Sequence, residues 1–184
     1  MGTYIRTGII SAFSVSKQSV NELSDDYGEA TMKIARALVG SPQCFDCREN
    51  GGYYTWSLKP QYLQSELAVF LEKYYLDCYP PERGYCQSES EKVIAYLYGN
   101  PSETELREWL EDNWSDSFTI DGGVMASFQI ENERFFADLS YIRLSYEGKV
   151  IFEQFETHIE LFERALRKAY SDHPLGGCLA IVID

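Results

Sequence analysis

At 184 residues, 45% hydrophobic and 15% aromatic, the chain is long enough to bury a substantial core and lies outside the composition range of disordered segments. A formal net charge of −13 repels nucleic acid and anionic membrane and attracts basic surfaces. No apolar run approaches the ~20 residues of a membrane-spanning helix, and Met1 to Val15, interrupted by Arg6 and Gly8, lacks the pattern of an export signal, so a cytoplasmic protein is expected.

Thr3 to Val15 is rich in β-branched and aromatic residues, with Ile5, Thr7, Ile9, Ser11, Phe13 and Val15 on one face at period two, which predicts a first strand. Ser19 followed by Glu22 resembles a capping box, and Ile34, Ala35, Leu38 and Val39 predict a helix that ends at Gly40. Ser41 to Gly52 reads as a loop carrying Cys44-Phe45-Asp46-Cys47, and Tyr53 to Leu58 as a short strand. Pro60 then opens the clearest helix, because Leu63, Leu67, Phe70, Leu71, Tyr74 and Cys78 recur at helical spacing before Pro80-Pro81. Ser88 with Glu91, and Ser102 with Glu105, predict the starts of two shorter helices separated by Gly99-Asn100-Pro101.

From Asp116 the period changes to two. Phe118 to Ile120 and Val124 to Ile130 flank Asp121-Gly122-Gly123, and Phe135 to Tyr146 and Lys149 to Phe155 flank Glu147-Gly148, predicting two successive hairpins. Phe135, Ala137, Leu139 and Tyr141 share one face, whereas Ile142, Leu144 and Tyr146 continue in the opposite phase, so a bulge is expected near Tyr141-Ile142. Thr157 with Glu160 predicts a last helix, and the apolar run Cys178 to Ile183 a strand in the interior of a sheet. Segregated strands and helices predict an α+β fold: an antiparallel or mixed sheet, with a meander in the C-terminal half, covered by several helices in a single domain over residues 1–184.

No linear motif for catalysis or a cofactor stands out. His158 and His173 lack a neighbouring nucleophile or ligand pattern, and the glycine pairs at 51, 122 and 176 read as turns rather than phosphate loops. Asp138, mid-strand between Phe135, Phe136 and Leu139, falls on the polar side of its strand with Ser140. The odd set Cys44, Cys47, Cys78, Cys86 and Cys178 argues for reduced thiols. A zinc-stapled module would need Cys78 and Cys86 to join Cys44 and Cys47, at a spacing unlike that of a second CxxC.

Charge is the informative feature. Residues 93–184 hold seventeen Asp and Glu against seven Lys and Arg, and residues 1–92 hold twelve against nine. Between Gly99 and Gly123 the seven acidic residues, from Glu103 to Asp121, meet only Arg107. With Leu106, Trp109 and Leu110 facing inward, Glu105, Glu108 and Asp112 share an exposed flank, with Glu111 beside it and Trp114 and Asp116 just past the helix end. These six residues form the expected docking surface for a basic protein partner, as in an immunity-type inhibitor of a toxin or nuclease, or a nucleic-acid mimic. The rival from another class is a small enzyme whose pocket of carboxylates and tyrosines leaves no linear motif.

Overall fold

The computed structural model describes residues 5–78, 87–113, 118–144 and 159–183. They form six strands and several helices: β1 (Ile5–Ser16), α1 (Lys17–Leu23), α2 (Tyr27–Leu38), β2 (Phe45–Asn50), β3 (Tyr53–Leu58), α3 (Pro60–Leu63), α4 (Ser65–Cys78), α5 (Gln87–Tyr98), α6 (Glu103–Asp112), β4 (Phe118–Ile130), β5 (Glu133–Leu144), α7 (Ile159–Ala169) and β6 (Leu179–Ile183). The architecture is α+β. Every strand pairing is antiparallel, in the order β2-β3-β1-β5-β4, with β6 also on β1.

β1 organises the sheet. Its first half pairs with β6 (Ile5↔Ile183 to Ile9↔Leu179) and its second half with β3 (Ala12↔Ser57 to Ser16↔Tyr53), while β5 runs along its other side. The expected face of β1 is buried at Thr7, Ile9, Ser11, Phe13 and Val15. Phe13 stacks on Trp56 with ring centroids 4.8 Å apart and meets Phe45 at 5.4 Å, so aromatic packing joins three adjacent strands.

The phase change along β5 is absorbed by both neighbours. Ile10 pairs with Tyr141 and Ala12 with Ser140, which leaves Ser11 as the additional residue, on β1 rather than on β5. Asp121 pairs with Tyr141 and Val124 with Leu139, so Gly122-Gly123 stand opposite Ser140 alone. These glycines are therefore a bulge inside one continuous β4, not the expected turn, and Gly123 adopts φ +77° to make it. Ile142 and Leu144 then join the same core cluster as Phe135, Ala137 and Leu139.

The turn of this hairpin is Glu131-Asn132, with φ of 52° and 77°, the signs of a type I′ turn. The second hairpin expected about Glu147-Gly148, and the Thr157 cap, lie outside the described residues.

Several other boundaries differ from expectation. Ser16, not Ser19, caps α1 by accepting the Ser19 N–H, and Asp26 caps α2 by accepting the Glu29 N–H. The segment read as a loop is a short 3-10 helix (Pro42–Cys44) followed by β2, which forms a hairpin with β3 across Gly51-Gly52. Gln64, at ψ −128°, separates the single Pro60 turn of α3 from α4. α5 is already helical at Gln87, one residue before the expected Ser88 cap.

β6 has β1 as its one strand neighbour among the described residues, so it is not the interior strand that its apolar run suggested. Its backbone is covered by α7 instead. Glu163 Oε2 accepts the Ile181 N–H at 3.1 Å, and Arg167 Nε donates to the Leu179 carbonyl at 2.6 Å. Arg167 also donates to the Leu38 carbonyl at 3.1 Å, tying α7 to the end of α2.

Candidate functional site: an acidic helix face

α6 is set in place by a short chain of local requirements. Asn100 turns the backbone with φ 55°, Pro101 is buried, and Ser102 takes the N-cap. Ser102 Oγ accepts the Glu105 N–H at 3.3 Å while Glu105 Oε2 accepts the Ser102 N–H at 2.7 Å, completing the expected capping box. Hydrogen bonding to the Glu105 carboxyl by the Ser102 side chain and by its backbone N–H holds that carboxyl below its ordinary pKa.

Leu106 and Leu110 are buried, and Trp109 is half-buried beneath Tyr96 of α5, the two rings stacked at 4.5 Å and 10°. Tyr96 Oη also donates to the Glu105 carbonyl at 3.2 Å, so α5 grips α6 along the flank nearest Glu105.

With that stripe inward, Glu103, Glu105, Arg107, Glu108, Glu111 and Asp112 are all exposed. Glu105, Glu108 and Asp112, three and four residues apart, line one flank, and Glu111 lies beside it. Arg107 leans to the other side and pairs with Glu103 at 3.3 Å, an exposed i,i+4 contact worth little in energy, and among the described residues no cation pairs with Glu105, Glu108, Glu111 or Asp112. Of the six residues expected to form the surface, four are displayed together in this way. Trp114 and Asp116 lie outside the described residues. Asp121, from the same acidic run, does not contribute, because Arg143 of β5 binds it at 2.7 Å on the sheet.

Two features near this helix escaped sequence reasoning. Trp109 stands at the rim rather than in the core, a placement that depends on the stacking partner Tyr96 supplied by another helix. The α6 N-terminus also closes one side of a cleft of about 370 Å³, between Ser102 and Glu103 on one wall and Asp46, Arg48 and Ser57 on the other. That cleft depends on β2 being a strand, for which the sequence offers only the inward pair Phe45 and Cys47, since Arg48, Glu49 and Asn50 are all exposed.

Among the described residues, Cys44 and Cys47 have different neighbours. Cys47 packs under α2, its Sγ 3.5 Å from Tyr27 Oη, whereas Cys44 is fully buried. Burial raises the pKa of Tyr27, and of Cys47 too. The side chains of Cys78 and Cys86 are outside those described, and among the described residues no three His, Cys, Asp or Glu groups are arranged to hold a metal. His173 serves structure: its Nδ1 accepts the Leu175 N–H at 3.1 Å and its Nε2 faces Glu66 at 3.2 Å. Asp138 is exposed, as expected.

Fold and surface define a class: an α+β protein, one of whose helices exposes Glu103, Glu105, Glu108, Glu111 and Asp112. No helix among the described residues is long and apolar enough to cross a membrane. Comparison with protein families, curated proteins and solved structures finds no significant match to the chain.

Proposed function

We propose that this chain is a non-enzymatic binding protein that docks a basic protein partner through α6, in the manner of an immunity-type inhibitor or a nucleic-acid mimic. The observation that carries the reading is the shared exposed flank of Glu105, Glu108 and Asp112, on a helix whose one cation is bound to Glu103 on the other side. Carboxylates crowded on a rigid helix add their fields, and such a field accelerates encounter with a cationic patch by orders of magnitude at low salt. Trp109, stacked on Tyr96 at the rim, supplies the aromatic surface that interfaces commonly use as an anchor. The free thiols of Cys44, Cys47 and Cys178 support a reducing, cytoplasmic setting.

The test is affinity capture from host extract with wild-type protein and with a Glu108→Lys/Glu111→Lys/Asp112→Lys variant, eluting with rising salt. Glu105 is left intact because reversing it would also remove the cap of α6. A basic protein retained by wild type, released by salt and absent from the variant supports the reading. The same captured proteins on both baits would refute it.

A further inference from the structure

The end of α2 and the segment that opens β6 are docked, Gly40 N–H donating to the Gly177 carbonyl at 2.7 Å. A Cβ on Gly177 would collide with Ser41 Oγ, so glycine leaves open the space that this hydroxyl borders. Beside the seam lies a cleft of about 470 Å³, whose walls include Ser41, Gln43, Arg167, Lys168, Ser171 and Gly177.

The groups on these walls are donors without acceptors. Ser41 is only 8% exposed, yet its hydroxyl has no hydrogen-bond partner among the described residues, a costly arrangement unless something in the cleft serves it. Arg167 Nε donates to the Leu179 carbonyl at 2.6 Å and Nη2 to the Leu38 carbonyl at 3.1 Å, with Glu163 Oε1 2.8 Å from Nη2. Nη1 has no partner among the described residues, so a guanidinium held between α2 and β6 keeps one N–H pair to offer. Lys168 is exposed and pairs with no described carboxylate. Among the described lining residues the one carboxylate is Asp172, which Lys73 holds at 2.8 Å, and His173 is already engaged by the Leu175 N–H and by Glu66. In a chain of net charge −13, the cleft is a local reversal of sign.

We propose that this cleft binds the phosphate group of a small phosphorylated molecule. Arg167 Nη1, Lys168 Nζ, Ser41 Oγ and Ser171 Oγ supply donors, two of them charged, to a group with three acceptor oxygens and close to a double negative charge. A carboxylate, with two oxygens and a single charge, leaves more of these donors unserved. The volume lies in the range of small-molecule sites, so the organic part of the ligand shares the cleft, against Gln43 and Pro174. No residue of α6 lines it, and the site is independent of the docking role of that helix.

The experiment follows thermal unfolding of the full chain as inorganic phosphate or ribose 5-phosphate is added, with ionic strength held constant by sodium chloride. Both should raise the midpoint, ribose 5-phosphate at the lower concentration because its sugar fills the rest of the cleft. Lys168→Glu reverses an exposed charge that makes no ion pair among the described residues, so circular dichroism should show its fold intact while its affinity for ribose 5-phosphate drops at least about tenfold. Arg167→Lys keeps the charge but not the fork and should also weaken binding. Where the lost ties to Leu38 and Leu179 unfold that variant, Lys168→Glu carries the test. No shift beyond the chloride control, no gain of the ester over inorganic phosphate, or a shift that survives in Lys168→Glu would overturn the proposal.

Discussion

Ser102 and Glu105 cap α6 reciprocally, each side chain accepting the other's backbone N–H, at 3.3 and 2.7 Å. The helix that displays the acidic flank is therefore started by one of its own acidic residues. Ser102→Ala should cost about 1 kcal/mol, the usual worth of an N-cap hydroxyl, and urea unfolding measures it. Glu105→Gln preserves the shape of the cap but not its charge. The Glu105 pKa is lowered in the fold, so its contribution is fully present above the ordinary carboxyl range and is lost as pH falls through the lowered value. Wild type and Glu105→Gln should thus differ at neutral pH and converge in acid, as urea midpoints across a pH series would show.

Much of this was legible in the sequence because local pattern and tertiary outcome agree. The Ser102–Glu105 box, the inward Leu106 and Leu110, the β1 face and the α+β class all follow from spacing alone. Positions that depend on a partner strand were not. Gly122-Gly123 look like a turn, and only the register against Ser140 makes them a bulge. Glu131-Asn132 carries no glycine to announce it, yet it is where the chain reverses. β2 is not legible because Gly51-Gly52 suggest a loop and only Phe45 and Cys47 of its six residues turn inward, so its pairing with β3 is what makes it a strand. Within the site, Arg143 claims Asp121 through the sheet, a pairing invisible to composition.

The Glu131-Asn132 turn is open to improvement. A side chain at φ 52° is strained for glutamate and tolerated by asparagine. Glu131→Asn should raise stability by about 0.5–1 kcal/mol in thermal or urea unfolding. Lys33, which bridges Glu131 at 3.1 Å, keeps Glu29 at 3.2 Å, so the exposed pair that is lost matters little.

Gly8 is required by what lies over it. A Cβ there would sit 2.6 Å from Tyr141 Cδ2 and 3.2 Å from the Ile142 carbonyl, beside the bulge that sets the β1–β5 register. Tyr141 is buried and cannot simply swing away. Gly8→Ala should therefore destabilise by about 1–3 kcal/mol, the range for overpacked sites, and Gly8→Val by more. Equilibrium denaturation of both variants checks the order.

Asp172 and Lys73 join the turn after α7 to α4 at 2.8 Å, and the lysine holds the Asp172 carboxyl below its usual pKa. The stabilisation is present above the ordinary aspartate range and lost as pH falls through the lowered value. Asp172→Asn should lower the urea midpoint slightly at neutral pH and leave it unchanged in strong acid.

Electrostatic docking by α6 is tested most directly by the association rate constant of the captured basic partner, measured against ionic strength for wild type and for Glu108→Lys/Glu111→Lys/Asp112→Lys. The account predicts a wild-type rate that falls steeply with salt, a variant at least about tenfold slower at low salt, and curves that converge at high salt, where screening erases the field. Superimposable curves, or a wild-type rate indifferent to salt, would contradict it.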